Sequence, residues 1–377
     1  MDERNYWLGF SSFPGIGPAK FKKLLDNFGS AKDAWQAPGG RPFWSEPQGR
    51  RLGKLIGEEL AEKFDNFRNN FSIEKYAGEL GNKDVSFVTL KDKEYPELLK
   101  KIKNPPFVLY AKGDPSLFRS SEPSVAVVGA RKTTQYGREV TKILTEELVT
   151  NGFIIVSGLA LGVDAISHMT ALENRGKTIA VLGCGVDCCS PSENLSIYNS
   201  ILKNGDCIVS EFPLSMKPTQ WSFPARNRII AGLSLGVLVT EGAEDSGSLI
   251  TAEYARKFGR PVFAVPGPIT SSMSKGPYKL IAKGAKLVTT AKDILDELEI
   301  RNHESGSIKR GKSIKRIKGG SPEENMILEI LQNEPMHFDE IVKRTGFDTS
   351  KIGSLLSVME IKGLVRGMES GQFSIAS

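Results

Sequence analysis

Two arginines and an asparagine stand together in the stretch "WSFPARNRIIAGLS", as Arg226, Asn227 and Arg228. A planar guanidinium group can hold two oxygens of one phosphate, and an amide can donate to phosphates or to base edges. At the start of an apolar helix, these residues predict binding of phosphates or nucleobases. In the alternative interpretation, the arginines pair with acidic neighbours such as Glu211 or Glu241.

Two aromatic residues, Trp221 and Phe223, precede these arginines. Proteins that bind single-stranded nucleic acid use such flat side chains as stacking surfaces for unpaired bases. The sequence also allows a second interpretation, in which both rings belong to the apolar core.

A second candidate is "SVAVVGARKTTQYG", where an apolar strand pattern ends at Gly129 and Arg131 follows. A dinucleotide site needs a glycine at the position of Arg131 and an acidic residue at the end of the next strand. That next strand ends in Ser157 and Gly158 instead, and we expect these two residues to bind phosphate together with the helix start that follows at Gly162. The turn amides and Arg131 can still bind a phosphate. An ordinary turn with an exposed arginine fits the same residues.

A third candidate is "EDSGSLITAEYA", where hydroxyl groups and a glycine open a helix at Ser246, Gly247, Ser248 and Thr251. Amides at a helix N-terminus favour anions, so these residues predict a phosphate site. Three acidic residues immediately before them oppose an anion, and would contact sugar hydroxyls or Arg228 instead.

Catalysis has little support in the sequence. Asp164 and His168 are four residues apart on one helix face, but no third ligand or nucleophile stands near them, so a structural contact is favoured. No hydrolase triad, zinc motif or nucleotide-triphosphate loop occurs at a known spacing. We therefore expect no catalytic residue, metal or cofactor.

The cysteines lack a metal-binding spacing and are expected to be free thiols. They are Cys184, Cys188, Cys189 and Cys207.

The elements that must position these residues alternate between strands and helices from Val85 to about Leu298. Such alternation predicts a doubly wound, mostly parallel sheet, which binds ligands beyond the carboxyl ends of its strands. Strands are predicted at Val125–Val128, Phe153–Val156, Thr178–Leu182, Cys207–Ser210, Gly236–Thr240, Pro261–Val265 and Lys286–Val288.

Residues 1–82 carry helical patterns, including "FPGIGPAKFKKLLDNFG". Gly15 and Gly17 in this stretch predict a tight turn between helices, whose backbone amides can approach a DNA phosphate. A helical hairpin that only packs against the rest of the chain is the alternative.

The C-terminal part divides into a linker at 301–320 and a small domain at 321–377. The linker contains "IKRGKSIKRIK", which has six basic residues and no acidic one. This composition predicts either a flexible connection between domains or an auxiliary phosphate-binding segment. Three helical patterns and a hairpin pattern follow, which is the winged-helix plan. The sequence leaves open whether this domain contacts DNA or protein.

The composition excludes a membrane-spanning protein, because no apolar run approaches twenty residues. Hydrophobic residues make up 40% of the 377 positions and charged residues 25%, as in soluble proteins. The start "MDERNYWLGF" lacks the pattern of a signal peptide, so we expect a cytoplasmic location. The formal net charge of +6 favours an anionic partner.

Six ordered stretches resemble the DNA-processing protein A family, DprA/Smf. They are "VAVVGARKTTQYG", "SGLALGVDAISH", "TIAVLGCGVD", "FPARNRIIAGLS", "EGAEDSGSLITAEYA" and "GRPVFAVPG". The resemblance covers about residues 95–285, with the helical region before it and the winged helix after it.

This resemblance implies an extended Rossmann-like domain at 83–300 that forms a homodimer and binds single-stranded DNA without sequence preference. It also implies delivery of the RecA recombinase onto that strand, typically during natural transformation, with no small-molecule substrate. Arg131 and the residues of "FPARNR" would line the DNA groove, and the Ser246–Ser248 helix start would hold phosphates.

A rival hypothesis is an enzyme or sensor for a small nucleotide, related to lysine-decarboxylase-like phosphoribohydrolases. Glu241 would then act on an N-glycosidic bond. Those enzymes have a "PGGxGTxxE" motif, whereas this chain has "EDSGSLITAE" at that place.

Overall fold

The computed structural model separates into two compact units, Met1–Asn302 and His303–Ser377. It describes residues 2–37, 47–119, 122–298, 320–331, 336–367 and 371–375. Most of the predicted linker at 301–320 lies outside these described residues.

The N-terminal region is helical, as predicted. The helix that follows the glycine turn starts at Pro18, ends at Phe28 and buries Phe21 and Leu24 on one face. Gly29 follows it with a φ of +85°, which suits a residue without a side chain. Among its described residues, the helices of this region are α1 (Glu3–Ser12), α2 (Pro18–Phe28), α3 (Ala31–Gln36), α4 (Pro47–Ile56), α5 (Glu58–Asn70) and α6 (Ile73–Asn82).

A nine-stranded, mostly parallel sheet follows, which confirms the predicted fold class. Its strands are β1 (Val85–Thr89), β2 (Val108–Gly113), β3 (Ser124–Val128), β4 (Ile154–Ser157), β5 (Thr178–Val181), β6 (Cys207–Ser210), β7 (Gly236–Val239), β8 (Val262–Ala264) and β9 (Lys286–Leu287). The order across the sheet is β1-β2-β6-β5-β4-β3-β7-β8-β9. Each of the seven predicted strands is present to within one residue at either end.

The sequence patterns missed β1 and β2. These two strands pair antiparallel with each other, and β2 pairs antiparallel with β6. Val85, Val108 and Tyr110 pack in one apolar core with the N-terminal helices. This shared core explains why residues 1–82 belong to the same compact unit as the sheet. The domain boundary at residue 82 stays a prediction.

Helices cover both faces of the sheet and bury its apolar residues in several separate cores. Ala126 in β3 pairs with Val156 of β4 on one side and with Val237 of β7 on the other. The helices of this region are α7 (Glu97–Lys100), α8 (Gln135–Thr150), α9 (Val163–Glu173), α10 (Leu195–Lys203), α11 (Ser222–Leu233), α12 (Ser248–Lys257), α13 (Lys275–Ala282) and α14 (Ala291–Glu297).

The second unit has the winged-helix arrangement that the sequence predicts. Its core is built around Ile327, Ile341, Ile352 and Leu356. The helices are α15 (Pro322–Ile330), α16 (Phe338–Thr345) and α17 (Thr349–Ile361), and the strands are β10 (Met336–His337), β11 (Val365–Gly367) and β12 (Gln372–Ile375).

Within the described ranges, no helix combines the length and the apolar character needed to cross a bilayer.

Candidate nucleic-acid interface

The order of the strands reverses between β3 and β7. The chain runs from β3 outward through β4, β5 and β6, and then returns to the other side of β3 as β7. Ligands of such sheets bind at this reversal, beyond the carboxyl ends of the strands. Here the structure has an open cavity of about 620 Å³, which we call the switch-point cavity. Its walls include Gly129, Arg131, Lys132, Asp164, Phe223, Arg226, Asn227, Ser246, Gly247, Ser248 and Thr251.

Backbone hydrogen bonds connect the turn after β3 to the residues that follow β7 and to the start of α9. The Ala130 amide donates to the Glu241 carbonyl at 2.7 Å, and the Val163 amide donates to the Ala130 carbonyl at 3.1 Å. A Cβ atom on Gly129 would lie 2.6 Å from the Glu241 carbonyl oxygen. Gly129 is therefore required for the close approach of β3 and β7, and this packing needs no dinucleotide.

Arg131 reaches the cavity as an exposed side chain. Its guanidinium carbon lies 5.5 Å from the centre of the Phe223 ring, at cation–π distance. Lys132 is also exposed and lines the same cavity. Neither cation makes an ion pair with any described residue. The sequence reasoning missed Lys132, although two consecutive cations in a loop after a strand were a usable signal.

Arg226 lines the cavity from a buried position. It is only 4% exposed, and its Nη1 donates to the carbonyls of Gly158 and, at 2.7 Å, Val181. Burial lowers its pKa, and the nearby Asp164 carboxylate opposes that shift. A Cβ atom on Gly158 would overlap Nη1, so the glycine that follows β4 makes room for the arginine. Arg226 forms the floor of the cavity.

Asp164 lies beside this guanidinium group. The Gly158 amide donates to its Oδ2 at 3.1 Å, and the side chain is buried. Burial raises the pKa of Asp164, whereas the positive charge of Arg226 lowers it. The two opposite charges therefore offset each other in the floor of the cavity.

Arg228 faces away from this cavity. It pairs with Glu211, and both side chains are largely buried. The ion pairing that the sequence allowed as an alternative is thus present for this arginine. Trp221 also lies outside the switch-point cavity and is 59% exposed. Both residues line a second groove, together with Gly15 and Gly17 of the N-terminal turn.

The start of α12 forms the opposite wall of the switch-point cavity. The Ser246 and Ser248 hydroxyls are 2.8 Å apart and bond to each other, while Gly247 is exposed. The Asn227 side-chain amide donates to the Gly247 carbonyl at 3.3 Å, which connects α11 with α12. Thr251 is buried one turn further along. Ser157 is also buried and donates to the Val127 carbonyl at 2.7 Å, outside the cavity lining.

Glu241 does not line the cavity. Its carboxylate accepts from the Thr134 amide at 2.9 Å and from the Thr134 hydroxyl at 2.6 Å, beneath the start of α8. A Cβ atom on Gly137 would overlap this carboxylate. Glu241 therefore stabilises a helix start, and its buried position gives no support to the rival role at a glycosidic bond.

The predicted contact between Asp164 and His168 is replaced by another. His168 is fully buried and its Nδ1 lies 2.7 Å from the Thr178 hydroxyl. All four cysteines are free thiols. Across the described part of the chain, no group of three or more histidine, cysteine or acidic side chains could hold a metal ion.

The α/β sheet with its cavity at the reversal and the winged-helix unit each coincide with a family model, and together these models give the class as DNA recombination mediators. The family model described as DNA recombination-mediator protein A matches residues 86–299, and a DprA winged-helix model matches residues 316–371. The chain belongs to the DNA-processing protein A family, DprA/Smf.

Relatives are similar over most of their length. Protein Smf of Synechocystis sp. is 35% identical over 96% of both chains. DNA processing protein DprA of Bacillus subtilis is 45% identical over 58% of this chain and 73% of its own.

Two solved structures are similar in fold. The X-ray structure of DprA from Streptococcus pneumoniae has a TM-score of 0.64 at 34% identity, over 79% of this chain and 99% of that one. DNA processing protein A from Helicobacter pylori, studied for its single-stranded DNA binding mode, has a TM-score of 0.50 at 32% identity, over 57% and 96% of the two chains.

Proposed function

We propose that this protein binds single-stranded DNA in the switch-point cavity without sequence preference and delivers RecA recombinase onto that strand. One observation carries the proposal. Residues from five separate parts of the sequence line a single open cavity at the reversal of the sheet. At its mouth are two exposed cations, Arg131 and Lys132, that form no ion pair with described residues.

The charges of the cavity favour a phosphate backbone. Its lining contains three cations and one carboxylate, and Arg226 and Asp164 offset each other in the floor. Arg131 and Lys132 are left to contact phosphates from the solvent side. Both can do so without reading base edges, which suits binding that tolerates any sequence.

The relatives support the same ligand. The Helicobacter pylori protein is described by its mode of binding single-stranded DNA. Phe223 adds an aromatic face beside Arg131 on which a base can stack.

The double variant Arg131→Ala/Lys132→Ala tests this site. We expect its affinity for oligo-dT to fall about tenfold or more, since two charge-assisted contacts are lost. The slope of log affinity against log salt should shrink by about 1.4, or about 0.7 for each lost phosphate contact. Fluorescence anisotropy at two salt concentrations measures both quantities.

The matched control is Lys142→Ala/Lys203→Ala, which removes two exposed cations that do not line the cavity. It should keep affinity and salt slope close to those of the unaltered protein. Equal losses in the two double variants would show that binding follows net charge alone and would remove the cavity from the proposal.

RecA delivery is tested separately, because a DNA-binding protein need not act on a recombinase. We expect the protein to speed the onset of RecA ATPase activity on single-stranded DNA, and the Arg131→Ala/Lys132→Ala variant to lose this effect in proportion to its DNA affinity. The proposed role is non-enzymatic and cytoplasmic, and the homodimer stays a prediction that a solution mass measurement can check.

A further inference from the structure

A second and larger groove lies on the other side of α11. Its volume is about 1380 Å³. The N-terminal glycine turn, the segment before β2, the loop after β6 and the C-terminal half of α12 form its walls. We call it the lysine groove, after Lys20, Lys103 and Lys257 in its lining. The function proposed above uses none of its residues.

The first turns of α11 separate the two sites and contribute to both. Trp221, Ala225 and Arg228 line the lysine groove, and they follow the spacing of one helix face. Phe223 and Asn227, four residues apart, face the switch-point cavity instead. The two sites are therefore neighbours across one helix, and a ligand that crosses α11 can occupy both.

The charges of the lysine groove are complementary to a polyanion. Its lining holds four cations and one carboxylate, and that carboxylate, Glu211, is paired with Arg228. The remaining three cations form no ion pair with any residue that the structure describes. Lys103 and Lys257 are exposed, and Lys20 donates to the Gly15 carbonyl at 3.1 Å.

Trp221 stands at the boundary between the two sites with an exposed ring. The Phe212 ring packs against the indole in an edge-to-face contact, with ring centres 5.5 Å apart and planes at 81°. The ring of Trp221 is 59% exposed, so it buries little apolar surface in the folded protein. A packing role therefore does not explain why a large aromatic side chain stands here. A fixed, exposed indole is suited to stacking on an unpaired base.

We propose that the bound single strand continues from the switch-point cavity over the start of α11 into the lysine groove. There Trp221 stacks on a base, and Lys20, Lys103 and Lys257 contact the following phosphates. This inference rests on the proposed function, because the first segment of the strand is the one held at Arg131 and Lys132.

Oligonucleotide length separates the two sites. An oligo-dT of about 6 nucleotides can fill one site, whereas one of about 20 can extend through both. The triple variant Lys20→Ala/Lys103→Ala/Lys257→Ala should bind the short oligonucleotide as the unaltered protein does. Its affinity for the long one should fall at least about tenfold, with a salt slope smaller by about 2. The matched triple variant with arginine at the same positions should restore the affinity.

The stacking contact has its own readout. The variant Trp221→Ala should lose about tenfold in affinity for the long oligonucleotide, and Trp221→Phe should recover most of it. Long oligo-dT should quench the tryptophan fluorescence of the unaltered protein more strongly than that of Trp221→Phe. The other three tryptophans are the same in both proteins, so the difference in quenching reports on Trp221.

The two proposals fail in different ways. If Arg131→Ala/Lys132→Ala weakens both oligonucleotides while the lysine triple variant weakens neither, the extended path is wrong and the proposed function stands. If the lysine variant weakens the short and the long oligonucleotide equally, the groove acts through net charge and the path is also wrong. If Arg131→Ala/Lys132→Ala has no effect on either length, the proposed cavity itself is overturned.

Discussion

Three consecutive residues of α11 have three different environments. Arg226 is buried and donates to backbone carbonyls, Asn227 connects α11 with α12, and Arg228 pairs with Glu211 on the opposite side. Successive residues of a helix point about 100° apart, so a run of three cannot face one ligand. At the residue scale, the exposed cations of the cavity are therefore Arg131 and Lys132.

The variant Arg226→Ala should lower the free energy of unfolding of the first unit by about 3 kcal/mol, because it leaves buried carbonyls without donors and Asp164 without its positive neighbour. Urea unfolding followed by tryptophan fluorescence measures this. The exposed Arg131→Ala should change stability by less than about 0.5 kcal/mol. Equal stability of the two variants would contradict the structural role of Arg226.

At the element scale, His168 joins one helix to two strands. The Thr178 hydroxyl in β5 donates to the Ile155 carbonyl of β4 at 2.8 Å, so it accepts from Nδ1 of His168 on α9. Nε2 makes no hydrogen bond with a described residue. Burial, and secondarily the positive charge of Arg226, lowers the pKa of His168 to about 3. In the folded protein at neutral pH, the imidazole of His168 is therefore uncharged.

A pH dependence of stability follows from this shift. The unfolded chain protonates this histidine near pH 6.5 and the folded chain only near 3, so the stabilising effect is complete above pH 6.5 and is lost as the pH falls. Between pH 7 and pH 5 we expect a loss of about 2 kcal/mol from this residue. The variant His168→Gln should show a correspondingly weaker pH dependence in urea unfolding.

The control for that comparison is His337→Gln, whose side chain is half-exposed in the second unit. It should leave the tryptophan-detected pH dependence unchanged. The raised pKa values of Asp164 and Glu211 act alike in all three proteins and cancel in the difference. Identical pH dependence of the unaltered protein and His168→Gln would show that this histidine does not titrate as inferred.

At the scale of the whole molecule, two compact units bury separate cores. All four tryptophans and all eight tyrosines precede residue 303 in the sequence. Tryptophan fluorescence therefore reports on the first unit alone, whereas circular dichroism reports on the helices of both. Comparing the two signals therefore distinguishes unfolding of the first unit from unfolding of the second.

We expect the variant Ile352→Ala to destabilise the second unit by about 3 kcal/mol, since it removes a fully buried side chain of the winged-helix core. The circular dichroism transition should then acquire an earlier phase, while the fluorescence transition stays in place. Ile229→Ala in the core of the first unit should do the reverse and move the fluorescence transition. A shift of both signals by Ile352→Ala would show that the units unfold together.

Much of the fold could be predicted because its signals are local. Runs such as "VAVV" before Gly129 and "TIAV" at β5 are short and apolar on both faces, as buried parallel strands must be. The antiparallel strands β1 and β2 carry a weaker pattern, since they lie at one side of the sheet and pack on the N-terminal helices. Their pairing depends on distant residues.

The sequence by itself determined the alternation of strands and helices, the winged-helix pattern and the family, because periodicity and ordered motifs are properties of neighbouring residues. It also identified Arg131 as a residue of the turn after β3. Only the tertiary structure decided which polar side chains share a surface. Burial and direction around α11 placed Arg226 in the cavity floor, turned Arg228 and Trp221 to the lysine groove, and left Arg131 and Lys132 exposed at the reversal of the sheet.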